Sequence, residues 1–163
     1  MIYVCGVLGG LVTGQSQTTQ MIYRLLRKKY ENKVHLIEQP YRVSFPIFAS
    51  YYYKVFCYLL FGQHKVIYLS VSRSVKSFYA RDLIIFILAL VLRHTCIIHL
   101  VGNDLDKLLK KSRLALFTYK LILSSHRNSI IVLSDRMELQ VADLLNVNID
   151  SLNSFILPGF VDI

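Results

Sequence analysis

Charge is scarce in this sequence. Asp, Glu, Lys and Arg make up 18% of its 163 residues, against about a quarter in ordinary globular chains. Hydrophobic residues make up 54%, and a chain this apolar is not intrinsically disordered, because disorder needs the opposite balance. Acidic residues are scarcer still: 10 against 19 basic ones, for a net charge of +9 and an isoelectric point near 9.6. Such a surface favours anionic partners: lipid head groups, phosphorylated substrates or nucleic acid. Cysteine is limited to Cys5, Cys57 and Cys96, an odd number at wide spacing with no Cys-x-x-Cys pair. That pattern reads as reduced core thiols in a cytoplasmic protein.

Long hydrophobic runs are missing too, despite a mean hydropathy of +0.44. The longest unbroken one, LIIFILALVL from Leu83 to Leu92, is about half the roughly 20 residues that a spanning helix needs, and it reads as a core helix. The stretch from Ile47 to Phe61 is longer but is interrupted by Ser50 and Lys54 and crowded with tyrosine. The N-terminus has no basic stretch of the secretory kind. The length fits a single domain.

What is present is an alternation of short apolar runs with helical patterns. Strands are expected at Ile2 to Leu8, Val34 to Ile37, Val66 to Val71, Cys96 to Val101, Ile130 to Leu133 and Phe155 to Leu157. Helices are expected at Ser16 to Tyr30, Phe48 to Phe61, Arg81 to Leu92 and Leu105 to Leu123, with a last one opening at Asp135 and carrying Glu138 as a capping box. Repeated strand and helix imply an α/β fold: a doubly wound, Rossmann-like parallel sheet in a three-layer α/β/α arrangement. Ligands of such sheets sit outside the carboxyl ends of the strands. The loops to read are therefore Gly9 to Ser16, Glu38 to Phe45, Ser70 to Ser77, Leu100 to Asp104 and Ser134 to Arg136.

The first of these, GGLVTGQS, is one residue away from a phosphate-binding loop G-x-x-x-x-G-K-[ST]; Gln15 stands where the lysine should be. A triphosphatase, with Asp135 as a second motif, is one reading of it. The loop lacks G-x-G-x-x-G, so Glu38 makes only a weak dinucleotide signal. The more general reading is a backbone that approaches a ligand, with an anion at the helix N-terminus. This makes Gly10, Thr13, Gly14, Gln15 and Ser16 candidate substrate contacts. His99, at the end of the fourth strand, is placed for hydrogen bonding or proton transfer, with Gly102 and Asn103 beside it. No histidines share a ligand spacing, and no metal site is expected. Lys107, Lys110, Lys111 and Arg113 alternate with leucines in a basic amphipathic pattern that suits an anionic membrane surface. No helix-turn-helix, zinc module or stacking platform appears, so no nucleic-acid partner is expected.

Four segments together resemble the N-terminal half of GT-B glycosyltransferases of the family 4 type. GGLVTGQSQTTQMIYRLL is similar to the family's first glycine loop and helix, and IIHLVGND to its strand ending in H-x-H-G-x-D. SIIVLSDRMELQVADLL is similar to its I-I-x-x-S strand and helix, and ILPGFVDI to its I-P-N-G-V-D segment. Val101 stands where the family often has histidine, with His99 two positions earlier. The resemblance implies the acceptor-binding domain of a retaining transferase of polysaccharide or glycolipid biosynthesis. It implies no cofactor in this chain, with the nucleotide-diphosphate sugar held by a second domain or subunit that follows Ile163 in the family. The implied partner is a lipid-linked or glycan acceptor, and the implied location the cytoplasmic face of the cell membrane. A non-catalytic docking or scaffolding subunit with the same fold is the alternative from another class.

Overall fold

The computed structural model describes residues 1–8, 13–40, 45–61, 64–72, 74–102 and 105–157. Six strands, β1 (Ile2–Gly6), β2 (Val34–Glu38), β3 (Val66–Ser70), β4 (Thr95–His99), β5 (Ser129–Val132) and β6 (Ser154–Ile156), form one sheet in the order β2-β1-β3-β4-β5-β6. All five pairings are parallel. The helices are α1 (Gly14–Tyr30), α2 (Phe45–Leu60), α3 (Val75–Ser77), α4 (Leu83–Val91), α5 (Leu105–Lys111), α6 (Arg113–Leu123) and α7 (Asp135–Leu145). The result is the Rossmann-like three-layer α/β/α fold expected from the alternation of elements.

The connection from β1 to β2 runs one way along the sheet, and every later connection runs the other way. Right-handed crossovers therefore put α1 on one face and the remaining helices on the opposite face. Side-chain alternation confirms the division. Val4, Val34 and Tyr68 pack with Ile22, Tyr23 and Leu26 of α1. Cys5, Ile37, Leu69 and Ile98 point the other way, into the main core with Val55, Phe86, Tyr119 and Val141. Gly6 lets α1 come close, since a Cβ there would lie 2.6 Å from the Thr19 hydroxyl.

Three elements differ from those expected from the sequence. The helix expected from Leu105 to Leu123 is two helices. Ser112 breaks it by taking extended backbone and accepting from the Ala115 amide at 3.1 Å, which starts α6 afresh. The helix expected from Arg81 begins earlier, where Ser74 caps α3, and Phe78–Asp82 then widens into a π-helical segment before α4. The cap of α7 is Ser134, which accepts from the Met137 amide; Glu138 instead accepts a hydrogen bond from the Ser154 hydroxyl on β6. Elsewhere the elements lie where the pattern puts them, with ends shifted by a few residues.

Candidate functional site

The sheet order changes direction between β1 and β3, so the crevice expected for a ligand lies outside their carboxyl ends. α1 starts there. Thr13 caps it, accepting from the Ser16 amide at 3.3 Å, while Ser16 Oγ accepts from the Thr13 amide at 3.0 Å. This reciprocal cap uses serine in place of the usual glutamate, and the first turn contains no acidic residue. The positive end of the helix dipole is thus left without a carboxylate, while Arg27, Lys28 and Lys29 complement the other end.

Gln15 has a defined role. Its Nε2 donates to the Ser70 carbonyl at 3.1 Å and the Val71 carbonyl at 3.0 Å, tying the start of α1 to the end of β3. The amide that replaces the phosphate-loop lysine is therefore engaged with backbone, while residues 9–12 of that loop lie outside the described residues. Asp135 is exposed in the first turn of α7.

Facing α1 across the crevice is the α3–π segment. Asp82 is fully buried, accepting from the Ser72 amide at 2.7 Å and from Gln39 Nε2 at 3.0 Å. Burial pushes its carboxyl up to about 6, against the hydrogen bonds from Ser72 and Gln39 and the nearby Arg81 charge. The Arg81 guanidinium donates to Ser72 Oγ at 2.8 Å. Tyr51 and Tyr52 of α2 donate to the carbonyls of Arg81 and Ala80 at 2.7 and 2.8 Å. These hydroxyls pin the widened turn, a kind of helix irregularity often found at functional sites.

Between the two walls lies a cavity of about 320 Å³. Thr13 and Gln15 line it from α1, Val7 and Pro40 from the strand ends, and Phe48 from α2. Lys76, Ser77, Ala80 and Arg81 complete it. Two cations, a helix N-terminus and an aromatic ring around one small space suit an anionic group joined to a less polar one. At Gly14 a Cβ would meet nothing within 4 Å, so the backbone there borders open space.

His99 lies two strands from β1, opposite Ser70 in the register. It is buried, shares a hydrogen bond between Nδ1 and the Tyr68 hydroxyl, and does not line the cavity. Burial lowers its pKa to about 4, so the ring is neutral at pH 7. Among the described residues, its Nε2 and the neighbouring Ser70 hydroxyl are buried without a hydrogen-bond partner. Gly102, just beyond, has φ 155°, a backbone conformation that suits glycine. Gly10 and Asn103 lie outside the described residues. Thus the cavity gathers Thr13 and Gln15, with Gly14 and Ser16 in the same first turn, and leaves His99 one strand away behind Ser70.

Lys76, Arg81, Phe48, Gln39 and Asp82 were not singled out by the sequence. The available signals were the Ser70 to Ser77 and Glu38 to Phe45 loops, and the Arg81–Asp82 pair directly before the most apolar run. Lys107, Lys110, Lys111 and Arg113 are exposed, and Lys110 lies 3.7 Å from Asp106. The leucines between them do not face out, because Leu108 and Leu109 are buried in the core. A second cavity, of about 570 Å³, runs beside α1 past Tyr23, Arg24, Arg27 and Lys28. Among the described residues no three His, Cys, Asp or Glu side chains gather as a metal site, and no helix is long and apolar enough to cross a membrane. In comparisons with protein-family models, curated proteins and solved structures, the chain matches none of them.

Proposed function

We propose that this chain is the acceptor-binding half of a retaining glycosyltransferase, working with a nucleotide-sugar-binding domain or subunit on a lipid-linked or glycan acceptor at the cytoplasmic membrane face. The observation that carries the reading is the cavity between the start of α1 and the π segment. Lys76 and Arg81 neutralise a phosphate or diphosphate of the acceptor, the α1 amides orient it, and Phe48 packs against its sugar or first lipid carbons. His99 acts here as a positioning residue. A neutral, enclosed ring bonded to Tyr68 fixes the end of β4 beside Ser70, whose carbonyl holds Gln15.

Calorimetric titration of the chain with a short-chain lipid-phosphate-linked sugar and with a nucleoside diphosphate sugar tests this. The first should bind and Lys76→Gln should weaken it about tenfold, in line with the loss of one charge-assisted contact. The second should not bind to the chain alone. Binding of the nucleotide sugar that depends on Lys76, or binding of a magnesium triphosphate in its place, would overturn the reading.

A further inference from the structure

We propose that the outer surface of α2, α4 and α6 is a docking face for an anionic lipid bilayer. α4 packs between α2 and α6, and the inner sides of all three enter the main core through residues such as Val55, Phe86 and Tyr119. The sides turned away from the sheet should then be polar. They are not. Tyr53 is 71% exposed and Phe61 73%, Val91 72% and Phe117 61%. Leu60, Ile87, Leu114 and Leu121 are each 44% exposed. A face of this kind across three neighbouring helices is an interaction surface rather than scattered exposure.

Charge selects the occupant. The three helices contain no acidic residue except at their borders, and their only charges are Lys54, Arg113 and Lys120. Lys111 at the end of α5 and Arg93 after α4 are exposed cations flanking these helices in sequence, while Lys110 is paired with Asp106. An apolar, aromatic face whose only charges are basic matches the boundary between head groups and acyl chains of an anionic bilayer. A second copy of the chain would bring the same cations together with no carboxylate on these helices to answer them. The end of α2 is held firmly for the purpose: the Lys65 ammonium, itself buried, donates to the carbonyls of Tyr58, Leu59 and Phe61. The proposal does not rest on the transferase reading, since it follows from the face alone.

Flotation of the full chain with vesicles of phosphatidylcholine, alone or mixed with phosphatidylglycerol, tests it. The chain should float with the mixed vesicles, less so as salt rises. Phe61→Ser with Phe117→Ser should weaken binding at least about tenfold, with circular dichroism and melting unchanged. Arg113→Gln and Lys120→Gln should each cost about fivefold. Neutralising Arg24, Arg27 and Lys28 on α1, across the sheet, should change binding by less than about twofold. The sequence has no tryptophan, so Phe117→Trp is a clean reporter whose emission should shift blue on the mixed vesicles. Absence of binding, binding unaffected by the phenylalanine changes, or binding lost on neutralising α1 would each overturn the proposal. So would a dimer in sedimentation that the phenylalanine changes dissolve, because a second copy would then own the face.

Discussion

The two sides of the sheet solve the problem of facing outward differently. α1 turns Ile22 and Leu26 onto Val4, Val34 and Tyr68 and leaves Arg24, Arg27, Lys28 and Lys29 exposed, with Leu25 and Tyr30 among them. That is the ordinary two-sided pattern of a helix between core and water. Across the sheet, α4 has no charged residue at all, and α6 buries Tyr119 and Ile122 yet exposes Phe117 and Leu121. The same contrast divides α5 from α6, which the sequence reads as one helix. α5 keeps its leucines inside and its lysines outside, whereas α6 keeps apolar residues on both sides. One layer is thus built to meet water and the other to meet something less polar. The cavity lies at the seam between them, with one wall from each.

Substitutions on the two sides should therefore differ most where a buried group holds the apolar layer together. Lys65→Met would leave three carbonyls at the end of α2 without their ammonium donor, and it should cost about 3 kcal/mol. At this chain length, that is a fall in Tm of roughly 6–12 °C. The matching change on α1, Lys28→Met, removes an exposed charge and should lie within about 0.5 kcal/mol of zero. Thermal melts of both variants check the contrast.

Two buried groups, Asp82 on the α2–α7 side and His99 on the α1 side, respond to pH in opposite senses. Asp82 titrates near 6 in the fold, against an ordinary 3.8. Its contribution to stability is full below about pH 4 and is lost as pH rises through 6. His99 titrates near 4, against an ordinary 6.5. Its contribution is full above about pH 6.5 and is lost as pH falls through 4. Each is on the order of 3 kcal/mol across its window, so they oppose one another between pH 4 and 6. Asp82→Asn should leave a chain that weakens as the pH falls, and His99→Gln one that weakens as it rises over that range. Urea midpoints measured across the window should therefore slope in opposite directions for the two variants.

Two glycines sharpen the comparison further. Gly6→Ala would press a methyl against the β-branched, buried Thr19, and should cost about 1–3 kcal/mol by pushing α1 off the sheet. Gly14→Ala meets open space at the first position of a helix and should be neutral or stabilising by up to about 1 kcal/mol. If that space belongs to the ligand, Gly14→Ala should nevertheless weaken acceptor binding. Denaturant melts and the acceptor titration on the same preparations separate the two effects.

Much of the fold was legible in the pattern of apolar runs. Strands such as IIVL, covered on both faces, are continuous in hydrophobicity, and every strand and main helix falls near its expected place. What misled was local chemistry that competes with periodicity. Ser112 offers its hydroxyl to a new helix start, so the run of leucines and lysines from 105 to 123 breaks although its period continues. The π segment is invisible to a 3.6-residue period, because its partners are distant in sequence: Tyr51 and Tyr52 on another helix, and Gln39 and Ser72, which bond its last residue, Asp82. For the site, the first turn of α1 could be read from its glycines and Thr13. The opposing wall could not, because Lys76 and Arg81 follow β3 and meet the start of α1 only where the carboxyl ends of β1 and β3 come together in the sheet. Apolar exposure was likewise hidden: the sequence cannot say which side of LIIFILALVL faces the sheet.

The most direct test of the account is amide chemical-shift mapping of the chain titrated with a sugar phosphate. The smaller cavity at the seam competes in this experiment with the larger, more cationic groove beside α1. Shifts are expected at Thr13, Gly14, Gln15, Ser77 and Ala80, lost in Lys76→Gln. Shifts confined to Tyr23, Arg24, Arg27 and Lys28, unchanged by that substitution, would contradict it.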